Sequence, residues 1–288
     1  MGPRSLFDVI VVVDWSASST PKLGPDSIWT CEHGHPPRNI STRAAAEREL
    51  LQLLSSHHDR RVLVGFDFSF GYPHGFAAAA GLAGAVPWRA TWQHLADSVT
   101  DDERNRNNRW AVAAELNTRL GTNRFWGAPP AQTGPRLTAR RPPGTAPLSL
   151  RHTDTTVRST SGRLPFAPWQ LLGAGSVGSQ MLTGIPVVHR LRHSPGLVQR
   201  AQVWPFETGF TNDPCAGRRD AIVFAEVWPS TVPLDAGGHE VKDARQVLAL
   251  SAELARLDAA GLLADRFAPT LDPLIAAAAL DEEGWVLH

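Results

Sequence analysis

The chain has 288 residues, 42% hydrophobic, with two cysteines; it can bury a full core as one large or two small domains, and a disulfide-framed scaffold is excluded. Its 28 basic and 28 acidic side chains balance, which excludes a uniformly basic nucleic-acid coat. No apolar run approaches the ~20 residues of a membrane span, and Met1-Gly2-Pro3-Arg4 lacks the apolar region of a signal peptide, so a cytoplasmic protein without membrane contact is expected.

Residues 7–13 read as a buried strand and 27–32 as a second, joined through Pro21, Gly24 and Pro25, with a short third strand near Asn39-Ile40. Ser41-Thr42 caps a helix over RAAAERELLQLLSS, where Leu50, Leu51, Leu53 and Leu54 can serve one face, and a strand over 62–66 follows. Residues 70–200 then form a long insertion in what is otherwise a single domain over 1–288. It contains helices near 88–98 and 107–120, and a stretch over 131–165 rich in Pro, Gly, Ser, Thr and Arg that predicts a flexible, exposed arm. Residues 169–192 are apolar, glycine-rich and partly helical. Strands near 201–204 and 221–227, a helix over 242–260 and an apolar helix near 272–280 complete the order. Between 116 and 206 stand eleven arginines and one acid, Asp154, so the segment carries +10 and the remainder −10, an asymmetry that points to an anionic partner.

Three apolar runs end on a carboxylate: Val9–Val13 on Asp14, Val62–Phe66 on Asp67, and Ala221–Ala225 on Glu226. Taking a carboxylate out of water costs several kcal/mol unless something compensates it. Strands of one sheet bring their ends together at ~4.8 Å spacings, so the three acids can converge on a divalent cation. Each alone also suits a turn or helix cap.

Other motifs carry less. Gly173-Ala174-Gly175-Ser176-Val177-Gly178 spells the dinucleotide fingerprint, but no strand precedes it and no acid follows at ~20 residues, so close helix packing explains the glycines better. Ser176 as a nucleophile lacks the same strand. Cys31, His33 and His35 alternate without a matching ligand pair, and a surface turn accounts for them. Asn108 and Arg109, before a helix, and Gln170 and Gln180, in an apolar stretch, are candidates for contacting a substrate's polar edge.

The element order, with acids ending the first and fourth strands, resembles the ribonuclease-H fold. Over nearly its whole length the chain resembles domain of unknown function family 429, a family of predicted nucleases with that fold, through VVVDWSA (11–17), VGFDFSFGYP (64–73), FWGAPP (125–130), WQLLGAGSVGSQ (169–180), VWPFE (203–207), AEVWPS (225–230), VKDARQV (241–247) and EEGWVL (282–287). Some relatives carry a molybdopterin-guanine-dinucleotide synthesis label, which nothing in these residues supports. The resemblance implies an α/β, ribonuclease-H-like mixed sheet flanked by helices, with a large basic insertion. It assigns Asp14, Asp67, Glu226 and Asp272 to Mg²⁺ or Mn²⁺, with Asp243 competing with Asp272 as the fourth acid. The expected activity is metal-dependent hydrolysis of a phosphodiester in a nucleic acid or a small nucleotide-like molecule, two ions acting on an in-line displacement and Lys242 neutralising phosphate charge. Two alternatives stand beside it: a non-catalytic module for an anionic, nucleotide-like ligand, and an actin-like or sugar-kinase phosphotransferase. The latter wants a glycine-rich phosphate loop after the first strand, where Asp14-Trp15-Ser16-Ala17-Ser18-Ser19 has no glycine.

Overall fold

A computed structural model describes residues 5–143, 150–173, 176–234 and 238–288. Strands β1 (Val9–Asp14), β2 (Ile28–Glu32) and β3 (Arg38–Ile40) form an antiparallel ladder. β4 (Val62–Phe66) pairs parallel to β1, and β6 (Ile222–Val227) parallel to β4. β5 (Ala201–Val203) and β7 (Val286–Leu287) both pair parallel to β6. The mixed sheet runs β3-β2-β1-β4-β6-β5, with β7 beside the end of β6.

The apolar runs of β1, β4 and β6 are buried along almost their whole length, as parallel strands covered on both faces by helices must be. Strand alternation divides them. Val11, Val13, Val64, Phe66 and Phe224 face one layer; Ile10, Val12, Leu63, Val223 and Ala225 face the other. The first layer is built by α1 (Arg43–Ser56), α3 (Pro87–Ser98), α4 (Arg109–Arg119) and α6 (Gly178–His193). The second is built by α7 (Lys242–Ala259) and α8 (Leu263–Phe267), α7 presenting Ala244, Val247, Leu250, Leu254 and Leu257 at helical spacing. Three short helices complete the order, α2 (Phe76–Ala79), which adds Phe76 to the first core, α5 (His152–Thr156) and α9 (Pro273–Ala278), the last running into a π-helical turn over Ala279–Glu283. Thr42 caps α1 as its sequence predicts, its hydroxyl accepting from the Ala45 amide at 3.2 Å.

The insertion is not an appendage. Phe70, Tyr72, Trp92, Phe125 and Trp169 share one core with the strand residues Val13 and Phe66. The expected exposed arm over 131–165 is corrected only in part, since most of its described residues are exposed. Residues 144–149 of it lie outside the described residues, but Leu137, Arg151, Thr153, Asp154 and Val157 are buried. A polar segment can enter the core here because it brings its own compensation. Arg151 donates Nη2 to Asp154 Oδ1 (2.7 Å) and to Glu226 Oε1 (2.6 Å), and Nη1 to Glu226 Oε2 (2.7 Å). The remaining arginines of the stretch, Arg136, Arg140, Arg141, Arg158 and Arg163, are exposed.

Gly178 opens α6 where a Cβ would stand 2.3 Å from the Pro168 carbonyl oxygen, so close packing requires that glycine, and among the described residues no strand leads into it. Among the described residues no helix is long and apolar enough to cross a membrane.

Removing Arg151 strands two buried carboxylates. Arg151→Met is expected to lower unfolding free energy by about 3–5 kcal/mol in urea titrations; a loss below about 1 kcal/mol would show that the cluster is not a closed ion triad.

Candidate functional site

In the parallel pairing of β1 with β4, Val13 stands opposite Phe66, and the Asp67 amide donates to the Val13 carbonyl at 2.9 Å. Asp14 and Asp67 therefore leave adjacent strands side by side. Both continue the parity of Val12 and Leu63, so their side chains project toward α7. The first turn of α7 brings Asp243 to them, its Oδ2 accepting from the Asp26 amide at 2.6 Å. These three acids line a cleft of about 710 Å³, walled also by the Ser16–Ser19 loop, Arg109 and the first turn of α6.

Neither the Asp14 nor the Asp67 carboxylate has a hydrogen bond or ion pair among the described residues. Burial pushes Asp14 well above the usual carboxylate range, and the charges of Asp67 and Asp243 push it further. Burial likewise raises Asp67, to about 7, with Glu226 and Asp243 adding to the effect. Lys242, exposed at the start of α7, pulls both back.

The convergence of three strand-end acids needs correction. Glu226 pairs with Phe66 in the ladder, one position short of Asp67, and alternation turns it toward the layer that Phe224 faces. There its oxygens are taken by Arg151 and by the Phe70 amide (3.0 Å), while burial still raises its pKa against the pull of Arg151. It reaches Asp67 only across a small cavity of about 100 Å³ that both line. Asp272 does not join the acids either: it is exposed and caps α9, accepting from the Leu274 amide at 2.8 Å. Asp243, at the start of α7, is the acid that lines the cleft with Asp14 and Asp67.

Of the remaining candidates, Asn108 is occupied bracing the chain, accepting from the Thr100 amide and donating to the Ser98 carbonyl, each at 2.8 Å. Gln170 donates to the Leu172 carbonyl at 3.0 Å, beneath the loop that lines the cleft. Arg109 and Gln180 do line it, Gln180 donating to the Trp15 carbonyl at 2.6 Å. Cys31 is buried in β2 against Ser251, while His33 and His35 are exposed. Sequence reasoning missed Arg43 and Asp101, a buried pair that fixes the Ser16–Ser18 backbone through Arg43 Nη1; 58 residues separate them and no local pattern marks them.

Among the described residues no three His, Cys, Asp or Glu side chains group closely enough to hold a metal. Asp14 and Asp67 offer two unpaired oxygen-donor groups. That set fits Mg²⁺, which keeps several waters and commonly binds through one or two carboxylates plus substrate phosphate. Comparison of the chain with protein-family models, with curated proteins and with solved structures found no match.

Metal-free protein should become less stable with rising pH through this pair. Asp67 is raised from 3.8 to about 7, so the folded state binds more protons than the unfolded between these values. Its contribution is fully present below the unfolded pKa and is lost as pH climbs through 7. In EDTA, the melting temperature is expected to fall from pH 5 to pH 8, and Asp67→Asn to reduce that fall by at least about 2 °C. Equal falls in both proteins would contradict the assignment.

Proposed function

We propose that the chain is a divalent-metal-dependent phosphodiesterase with a ribonuclease-H-like core, acting on a nucleotide-like or single-stranded diester. One observation carries the reading: two neighbouring carboxylates line a cleft, half-buried, with no ion-pair partner and no hydrogen-bond donor among the described residues, the charge of the exposed Lys242 offsetting them only in part. Burial at such cost is characteristic of functional sites. The side-by-side acids after the first and fourth strands support the ribonuclease-H-like reading.

Asp14 and Asp67 would hold Mg²⁺ or Mn²⁺, with Asp243 in reach of its water shell. The ion, when bound, supplies Lewis-acid polarisation of a phosphoryl oxygen and a water acidified toward neutrality. The chain's own residues do the rest. With its pKa raised to about 7, Asp67 would release its proton to bulk water on taking a cation, which would couple binding to pH. Lys242 faces the same acids and can neutralise phosphate charge. Arg151 holds Glu226 on the far side of Asp67, keeping that negative charge fixed. A cleft of about 710 Å³ suits a nucleotide-sized ligand. A neighbouring cleft that shares Gln246 is lined by Arg158, Arg163 and Lys242, which supports an anionic substrate extending beyond the first.

Incubation with Mn²⁺ and a panel of single-stranded DNA, RNA, dinucleotides and ATP tests this. Diester cleavage that falls to background in both Asp14→Asn and Asp67→Asn is the expected result. ATP turnover without diester cleavage would favour a phosphotransferase, and inertness across the panel despite bound Mn²⁺ would favour a binding module.

A further inference from the structure

The same cleft contains a buried cation without its own counter-ion. Arg109 is 4% exposed, yet its partners are all neutral: Nε donates to Ser179 Oγ (3.0 Å), and Nη1 to Ser19 Oγ (3.1 Å) and Asn107 Oδ1 (2.8 Å). Nη2 has no hydrogen bond among the described residues. The guanidinium lies over the Trp110 ring, 4.2 Å from its centroid, which fixes its plane. The nearby buried charges do not balance it. Arg43, 1% exposed, takes both oxygens of Asp101, whose charge reaches Arg109 without touching it. Burial and Arg43 lower the Arg109 pKa only to about 10, leaving it charged at neutral pH.

Donors surround this surplus charge. The Ser19 hydroxyl accepts from Arg109 and donates to nothing among the described residues. The 16-residue helix α6 ends its N-terminus on the cleft at Val177, Ser179 and Gln180; first-turn amides have no acceptor within their own helix, and with that of Gly178 taken by the Gln170 carbonyl at 3.1 Å, those of Ser179 and Gln180 are, among the described residues, left for a ligand. Ser179 joins the two features, accepting from Arg109 and donating to the Leu171 carbonyl at 2.6 Å. A guanidinium edge, a hydroxyl and helix amides together match an anion with several acceptor oxygens better than a planar carboxylate.

We infer that Arg109, Ser19 and the first turn of α6 form a seat for a terminal phosphate, so that the cleft takes a substrate ending in a phosphomonoester, anchored there while its diester meets Asp14 and Asp67. The substrate half of this inference rests on the phosphodiesterase reading; the seat itself does not need the metal.

The test is therefore done on full-length protein in EDTA, by calorimetry with inorganic phosphate, a nucleoside 5′-monophosphate and the parent nucleoside, with Mn²⁺ binding measured separately. Saturable binding of phosphate and of the monophosphate, absent for the nucleoside, is expected, weakened at least about 10-fold in Arg109→Lys, which keeps the charge but loses the fork. Arg109→Gln should abolish it; if that variant fails to fold, the lysine variant decides. Phosphate binding that persists while Mn²⁺ fails to bind would support the seat and count against the catalytic reading. Equal affinity in Arg109→Lys, or nucleoside binding as tight as monophosphate, would overturn the seat; binding of inorganic phosphate with the monophosphate excluded would overturn the proposed substrate.

Discussion

The parallel pairing of β1 with β4 is the constraint on which the site depends. It brings the first residue beyond each apolar run to the same level of the sheet, and strand alternation sends both side chains to the same face. Two adjacent carboxylates lose water together, so burial raises both; the charge of Asp67 raises Asp14 further, and those of Glu226 and Asp243 raise Asp67. The covering layer is arranged to leave them open. α7 packs across β1 and β2 through an apolar stripe that starts at Ala244, so the polar residues just before it, Lys242 and Asp243, stand over the strand ends and not over the core.

The opposite face solves the same problem by a different route. Glu226 stands near the end of the neighbouring strand but meets Arg151, which also pairs with Asp154, and the three are buried. Breaking such a pair leaves an uncompensated buried charge, which is why the segment carrying Arg151 must be ordered although its composition is that of a loop. The insertion reaches the site a second way. Asp101 holds Arg43, which holds the Ser16 and Ser18 carbonyls, so the loop leaving β1 takes its shape from residues on the far side of the insertion. The same loop presents Ser19 to Arg109.

The strands were legible because β-branched and aromatic runs bounded by turn residues leave few alternatives, and β4 occurs over the residues its pattern marks. Asp14 and Asp67 were legible as a pair for the same reason. Glu226 was misread because the register of β6 against β4 lies in the sheet and not in the sequence. A one-residue offset decides which face an acid takes. Asp272 looked like a ligand because an Asp-Pro helix start has the same letters whether it caps or coordinates. Within the 131–165 stretch the part around Arg151 departs from the expected exposure because Arg151 and Asp154, three residues apart, neutralise each other on burial, which polar composition does not reveal. Arg109 was found as part of a polar run before a helix, but its bonds to Ser179, 70 residues away, and to Ser19 could not be read locally.

Asp14 and Asp67 are proposed to receive a divalent cation. A crystal soaked in Mn²⁺ and measured at the manganese edge tests it most directly. The account predicts an anomalous peak between the two carboxylates at coordination distances of about 2.0–2.2 Å, the range typical of Mg²⁺-type oxygen sites, with Asp243 near its water shell and Glu226 still on Arg151. A fully soaked crystal with no peak at this pair, or with the ion elsewhere, would contradict it.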